Sequence, residues 1–301
     1  MSLVPFDDRD GSIWWNGRMI PWRDAKLHVL SHGLHYASAV FEGERAYNGH
    51  IFKLRQHTER LIEGAGILGF AIPFSADAID AACEQVLRET GLSDAYLRPL
   101  AWRGSEQLSV SAQQTRINLM IAAWAWPNFF GADRMKGVRL GMAPWKRPHP
   151  ETAPYRAKAA GLYMIATLSK HDAEARGYND ALMLDWRGQL SEATGANLFL
   201  VMDGALHTPK PDCFLDGITR RTVIQLARKR GIAVHERAIM PEELKDATEV
   251  FLTGSAAELT PVREIEGGHH YTPGRITEQL LADYEALVRM SPDKVQARLA
   301  A

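Results

Sequence analysis

Lys158 stands in Tyr155-Arg156-Ala157-Lys158-Ala159-Ala160-Gly161, a run of small residues with no acidic side chain beside it. Most lysines in such a setting are solvated surface residues. At a strand-to-helix junction, small neighbours can instead desolvate the amine. Desolvation disfavours the ammonium and favours the free amine that Schiff-base chemistry needs. Gly217-Ile218-Thr219 opens a helical segment, where free backbone N–H groups, the helix dipole and a hydroxyl form an anion site. Thr219 reads equally well as a plain N-cap. A second small-residue turn, Thr253-Gly254-Ser255-Ala256-Ala257, follows a strand and offers further amides to the same anion. Arg55, just after a strand, offers charge. Glu192 lies in Leu190-Ser191-Glu192-Ala193-Thr194-Gly195-Ala196-Asn197 and reads either as a solvated loop carboxylate or as a partner for a ring nitrogen.

Other chemistries lack their residues. The eleven histidines are scattered, with no H-E-x-x-H and no Cys/His cluster, and His269-His270 sits in a Gly-flanked loop that reads as solvated. No metal is expected. No G-x-S-x-G elbow, no G-x-G-x-x-G and no Walker motif follows a strand. Two cysteines, Cys83 and Cys213, cannot make a disulfide framework and read as buried or idle thiols. The charges balance at 35 basic and 36 acidic residues, which gives no basic footprint for nucleic acid or an anionic membrane. No apolar run approaches the ~20 residues of a membrane span, and the acidic start lacks a secretory pattern. With 301 residues, 46% of them hydrophobic, the chain reads as a soluble, intracellular, enzyme-sized protein of one large or two smaller domains.

The elements that must position these residues fall into two blocks. Asn16-Gly17 and Asn48-Gly49 mark hairpins, the second joining a strand Val40–Tyr47 to His50–Leu54. One helix carries Leu61, Ile62, Ala65 and Leu68 on one face, and another runs from the N-cap Ser75 to Gly91 with Ile79, Ala82, Cys83, Val86 and Leu87 inward. Tyr96–Trp102 and Ile117–Trp126 read as strands. The aromatic stretch from Trp124 through Phe129 and Phe130 to Gly131 is the best linker. Beyond Gly137 the pattern predicts a helix over Ala159–Arg176, strands over Asp180–Asp185 and Gln189–Met202, and a helix over Thr219–Arg230. Strands over Ile232–Arg237, Glu249–Thr253 and Glu258–Ile265 and a closing helix over Thr277–Arg289 complete it. The expected fold class is α+β, with a small α/β domain at 1–123, an interdomain loop at 124–136 and a large domain at 137–301.

The order Arg55, Lys158, Tyr163, Glu192, Gly217-Ile218-Thr219, Thr253-Gly254-Ser255 resembles the fold-type IV pyridoxal-phosphate enzymes, the class IV aminotransferases. Within them the chain is most similar to the branched-chain amino acid aminotransferases. The likeness runs from about Trp14 to about Ile265. It is most specific at His35-Tyr36 through Arg45, around Lys158, at Ser191–Phe199, at Leu215–Arg220 and at Phe251–Val262. The resemblance implies a two-domain fold whose larger domain is a pseudo-barrel that binds the cofactor. It implies pyridoxal 5'-phosphate as cofactor, Lys158 as the Schiff-base lysine that also moves the proton, and Glu192 as partner of the pyridine nitrogen. Tyr163 would bond the phenolic oxygen. Arg55, Ile218, Thr219 and Ser255 would hold the phosphate. Ala196 departs from the family, whose branched-chain members commonly carry a second Glu there.

The same resemblance implies a transaminase that moves amino groups from L-leucine, L-isoleucine or L-valine to 2-oxoglutarate by a ping-pong mechanism. Tyr36, Phe41, Tyr163 and Trp126 would form its apolar wall. Tyr96 with the amides of Ser255 and Ala256 would take the α-carboxylate, and Arg98, two residues on along the same strand face, the distal one. Gly43, Arg45 and Val110 complete the implied substrate site. Val110 belongs to a loop, about Gly104–Val110, that caps the neighbouring subunit's pocket, so a cytoplasmic homodimer or higher homo-oligomer is expected. A D-amino-acid or (R)-amine transaminase, or aminodeoxychorismate lyase, is the alternative on the same cofactor.

Overall fold

The computed structural model describes residues 4–126 and 131–300. The chain divides into two compact units: Met1–Pro127 with Ala157–Gly161, and Asn128–Arg156 with Leu162–Ala301. The linker residues 127–130, including Phe129 and Phe130, lie outside the described residues. Among the described residues, no helix is long and apolar enough to cross a membrane.

In the first unit, strands β1 (Ser12–Trp15), β2 (Arg18–Pro21), β3 (Ala39–Phe41), β4 (Glu44–Tyr47), β5 (His50–Ile51), β6 (Ala95–Arg103) and β7 (Ile117–Ala125) form one sheet. Its order is β2-β1-β7-β6-β4-β5, with β3 also on β6. Asn16 and Gly17 adopt φ of 48° and 98° and turn β1 into β2, as the Asn-Gly pair predicts. Residues alternate across the sheet. Val40, Ala46, Leu97, Ala101, Leu119 and Ile121 form one face, which packs against α2 (Leu54–Ile67) and α3 (Ala76–Thr90) through Leu61, Ala65, Ile79 and Val86. Burial of such a side chain contributes roughly 1.5–3 kcal/mol. A short helix, α1 (His32–Tyr36), precedes β3. The expected single strand Val40–Tyr47 is broken between β3 and β4 at Glu42-Gly43. There the Glu42 amide bonds Pro99 O in unbroken register, but proline has no N–H to return the bond, so the ladder is interrupted.

The Lys158 segment belongs to this first unit, not to the block beginning near Gly137. Phe41 N donates to Lys158 O at 3.1 Å, and Val40 forms an antiparallel bridge with Ala159. The segment thus lies beside β3 through a single isolated bridge rather than as a strand of its own. The helix α4 starts only at Tyr163 (Tyr163–Ala175), after a 3-10 turn over Ala160–Leu162.

The second unit contains β8 (Val138–Met142), β9 (Asp180–Leu184), β10 (Leu190–Ala193), β11 (Asn197–Met202), β12 (Ala205–Pro209), β13 (Val234–Arg237), β14 (Glu249–Gly254), β15 (Glu258–Ile265) and β16 (His269–His270). The path β10-β9-β8-β15-β14-β11 closes on itself, because β10 also pairs with β11 through Glu192 and Asn197. This is a small closed barrel, filled by Leu140, Leu182, Leu190, Leu198, Leu252 and Val262. Closure explains why the expected strand Gln189–Met202 is two strands around a tight turn. His269-His270, expected in a loop, pairs with β15. Helices α5 (Ile218–Lys229) and α6 (Arg275–Val288) pack on β14, and α7 (Pro292–Ala300), which the periodicity did not reveal, follows α6.

Glu44 interrupts the apolar core of the first unit. It is fully buried on β4 beside Cys83 of α3. Burial, then the nearby charges of Glu42 and Asp80, push its carboxyl well above the ordinary range. The unfolded chain ionises a glutamate near about 4.3, whereas the folded chain keeps this proton. Above the unfolded value the folded state therefore binds more protons, and stability falls as pH rises towards the raised value. Glu44→Gln should remove that decline. Urea midpoints of both proteins from about pH 4 to about pH 8 test this, and parallel profiles would disprove it.

Candidate active site

Alternation on the first sheet sends Phe41, Gly43, Arg45, Tyr96 and Arg98 to the face opposite the core. Arg45 pairs across with Tyr96, and Phe41 with Leu100. Arg98 Nη2 donates to Tyr96 Oη at 2.9 Å, and its guanidinium lies 4.7 Å from the Phe41 ring centroid. Trp126 stacks on Tyr96 with centroids 4.6 Å apart, and the Arg45 guanidinium reaches Trp126 at 6.0 Å. Lys158 Nζ, on a half-buried side chain, sits 4.8 Å from the Phe41 ring centroid. The structure thus groups seven of the expected residues: Phe41, Gly43, Arg45, Tyr96, Arg98, Trp126 and Lys158. The group offers an amine, an aromatic wall and two guanidinium cations.

Tyr36 and Val110 stand apart from this group. Both are exposed, Val110 at 87%. Tyr36 stacks on His32, whose Nε2 lies 2.8 Å from Ser109 O, so α1 and the 104–110 loop form one surface. Side chains this exposed line a pocket only when another surface covers them.

Arg55 does not fill its expected place. Its exposed guanidinium pairs with Asp77 at 2.5 Å and Asp80 at 2.7 Å. The cause is helical phase: α2 buries His57, Thr58, Leu61, Gly64 and Ala65, which leaves position 55 facing outwards. Arg60 flanks the buried stripe instead. Its Nε and Nη2 bind Glu42 Oε1 and Oε2 at 2.7 and 2.8 Å, and His57 Nδ1 lies 2.7 Å from Glu42 Oε2. Burial works to raise the Glu42 carboxyl, but Arg60 and His57 more than offset it and hold it well below the carboxylate range. Burial lowers His57 despite Glu42, so a neutral imidazole donates its Nδ1 proton to the carboxylate. His57 feels the positive charges of both Arg60 and Lys158, which places this cluster in the lysine's neighbourhood. Sequence reasoning missed Glu42, His57 and Arg60. The signal was available in the polar residues that share the Leu61 stripe.

In the second unit, Glu192 is buried on β10, not solvated. Arg147 Nη2 lies 3.0 Å from its Oε1, and Asn197 Nδ2 donates to its Oε2 at 3.0 Å. Gly217, not Thr219, is the N-cap of α5, and no side chain caps that turn. The Ile218 and Thr219 amides keep the free N–H character of a helix start, with the Thr219 side chain buried among them. A Cβ on Gly217 would collide with the Asn197 side chain, so glycine is required there. Ser255 and Ala256 form the turn between β14 and β15, and a Cβ built on Gly254 before them would meet Gly195 O and the Cβ of Ala196. Tyr163 opens α4.

A Cβ on Gly43 would strike the Tyr96 hydroxyl. Gly43→Ala should therefore cost about 1–3 kcal/mol of overpacking, and removing the hydroxyl should relieve it. In a double-mutant cycle of urea stabilities, Gly43→Ala should cost less in a Tyr96→Phe background. Strict additivity would show that the two do not touch.

The chain as a whole is similar to known proteins. The family model for amino-transferase class IV matches residues 39–265. A branched-chain-amino-acid aminotransferase of Pseudomonas aeruginosa is 39% identical over 289 residues, which covers 93% of this chain and 94% of the relative. The crystal structure of a branched-chain aminotransferase from Thermoproteus uzoniensis with norvaline aligns with a TM-score of 0.90 at 36% identity, covering 95% of this chain and 97% of the other. The branched-chain amino acid aminotransferase from Thermobaculum terrenum, in its PLP-bound holo-form, aligns with a TM-score of 0.86 at 31% identity, covering 96% and 97%. An amine beside an aromatic wall, a buried carboxylate and an open helix start thus occur in a chain that belongs to the class IV aminotransferases.

Proposed function

We propose that this chain moves the amino group of L-leucine, L-isoleucine and L-valine to 2-oxoglutarate, in two half-reactions on one site, with pyridoxal 5'-phosphate as cofactor. The observation that carries the reading is the off-core face of the first sheet. There the Lys158 amine lies over Phe41 beside the Tyr96–Trp126 stack, and Arg98 is held by the Tyr96 hydroxyl. An apolar wall suits a branched side chain, and a guanidinium suits a distal carboxylate.

The second unit's donors suit the cofactor: uncapped amides at the start of α5 for a phosphate, and a buried carboxylate at Glu192 for a ring nitrogen. When bound, pyridoxal phosphate supplies an electron sink that lets an amino group change carbons. Lys158 would hold it through its ε-amine and, once displaced by the substrate's amino group, would move the proton between the substrate Cα and the cofactor C4′. Glu192 keeps the ring nitrogen protonated, and Tyr163 bonds the phenolic oxygen. Ile218, Thr219 and Ser255 hold the phosphate. Arg60 replaces Arg55 as its cation, because Arg60 shares the neighbourhood of Lys158 while two aspartates hold Arg55 at the surface. Tyr96, Ser255 and Ala256 take the α-carboxylate, and Arg98 the distal one, with Gly43 and Arg45 shaping that wall.

The exposed Val29, Leu30, Leu34, Tyr36, Leu108 and Val110 favour a homodimer, in which a second copy covers them. Val110 then caps the second copy's pocket and Tyr36 joins the apolar wall, as the resemblance implies. The cytoplasm is the expected compartment.

L-Leucine, D-alanine and (R)-1-phenylethylamine, each assayed with pyruvate and 2-oxoglutarate, test the reaction. L-Leucine with 2-oxoglutarate should turn over fastest, and turnover confined to either of the others would replace the reading. Lys158→Ala should abolish transamination while phosphate-driven cofactor binding persists. Arg60→Gln should weaken binding of pyridoxal phosphate by the ~1.5–3 kcal/mol of a charge-assisted contact, roughly ten- to a hundred-fold, with little effect from Arg55→Gln. The reverse order in equilibrium dialysis would restore Arg55.

A further inference from the structure

Arg147 lies outside every motif that led to the site. It follows the end of β8 in Pro144-Trp145-Lys146-Arg147-Pro148, which reads as a basic loop. The structure buries it instead, at 8% exposure. Its backbone bridges Asp185, with N donating to Leu184 O at 2.8 Å, so the side chain is fixed from its root. Its Nη2 meets Glu192 Oε1 at 3.0 Å and lies 3.4 Å from Thr194 O. Its Nε is buried with no hydrogen-bond partner among the described residues. Removing a guanidinium from water with one N–H unmatched is costly, and an apolar residue of similar size would serve stability as well or better. The arrangement makes physical sense as a device acting on Glu192.

Glu192 is gripped at both oxygens, by Arg147 at Oε1 and Asn197 at Oε2. Asn197 is itself tied to Leu215 O at 3.0 Å, and Leu215 lies in the loop leading into α5. Two donors on different elements fix the plane of the carboxylate, which one donor would leave free to rotate. The other charged groups nearby are already balanced. Cys213 senses Glu192, but burial first of all pushes its thiol up to about 12, so it stays neutral. Beyond it, Asp185 and Asp212 share Arg187 at 2.7 and 2.8 Å. Arg147 is therefore the cation placed to offset Glu192.

We propose that Arg147 is a positioning residue that orients Glu192 and offsets its charge, so that the cofactor's ring nitrogen meets a fixed carboxylate of moderated basicity. The proposal rests on reading Glu192 as the partner of that nitrogen. Removing the cation makes the surroundings more negative, which favours protonated forms of the bound cofactor.

The test is a pH titration of the visible absorption band of the holoenzyme, with Arg147→Met, Arg147→Lys and Glu192→Gln beside the wild type. Arg147→Met should move the midpoint upward by about one pH unit. Arg147→Lys, which keeps charge but not the fork, should stay near the wild type. Glu192→Gln should move the midpoint by itself and, in the double variant, abolish the effect of Arg147→Met. A purely structural role would lower the melting temperature and leave the midpoint in place, and that outcome overturns the proposal. An unmoved midpoint in Glu192→Gln would instead overturn the assignment of Glu192. Should Arg147→Met not fold, Arg147→Gln carries the same upward shift as its expected result, and an unshifted midpoint there overturns the proposal equally.

Discussion

A carboxylate without access to water must be met by charge and hydrogen bonds, and Glu42 is such a carboxylate. It is fully buried, and Arg60 and His57 surround it within 2.8 Å. Breaking a buried pair of this kind typically costs about 3–5 kcal/mol. The constraint therefore reaches well beyond one side chain. Glu42 sits where β3 gives way to β4, so satisfying it fixes the break between them. Arg60 and His57 lie on α2, so it also fixes the helix against that break. The residue before it, Phe41, donates its amide to the backbone carbonyl of Lys158. One buried charge thus ties α2 to the β3–β4 break, next to the residue that bonds the segment presenting the amine.

The second unit solves its own problem by closure. Pairing of β10 with β11 removes two sheet edges and leaves a tight turn at 194–196. The residues that make that pair are Glu192 and Asn197, so the polar side chains of the site are also the ones that close the barrel. Asn197 then reaches the loop before α5 and presses on Gly217. The carboxylate and the helix start that offers its amides are tied through a single side chain. Chemistry and architecture share residues here, so a change at Asn197 would disturb both.

Much of this was legible in the residue pattern. The small-residue run marked Lys158, the Gly217 turn marked a helix start, and alternation on β6 put Tyr96 and Arg98 on one face. What escaped was pairing across long separations. Arg60 meets Glu42 across the turn of a broken strand, and Arg147 meets Glu192 across two intervening elements. Neither partner carries a local signature. Arg55 looked suitable because charge just after a strand is a local cue, but helical phase decides direction, and phase is set by Leu61 and Ala65. Arg60 adjoins Leu61 and could have been preferred on that ground alone. The Lys158 segment went to the wrong block for a related reason: sequence order put it after Gly137, whereas its hydrogen bonds run back to Phe41.

The departure at Ala196 now has a physical reading. Branched-chain relatives are expected to carry a second glutamate there. In the structure Ala196 is buried, at 7% exposure, and a Cβ built on Gly254 would come within van der Waals contact of it. A glutamate in its place would bring a second buried negative charge into the turn that already holds Glu192. Arg147 can balance one carboxylate but not two. With alanine no further carboxylate joins Glu192, whose Oε1 meets Arg147 and whose Oε2 accepts from Asn197.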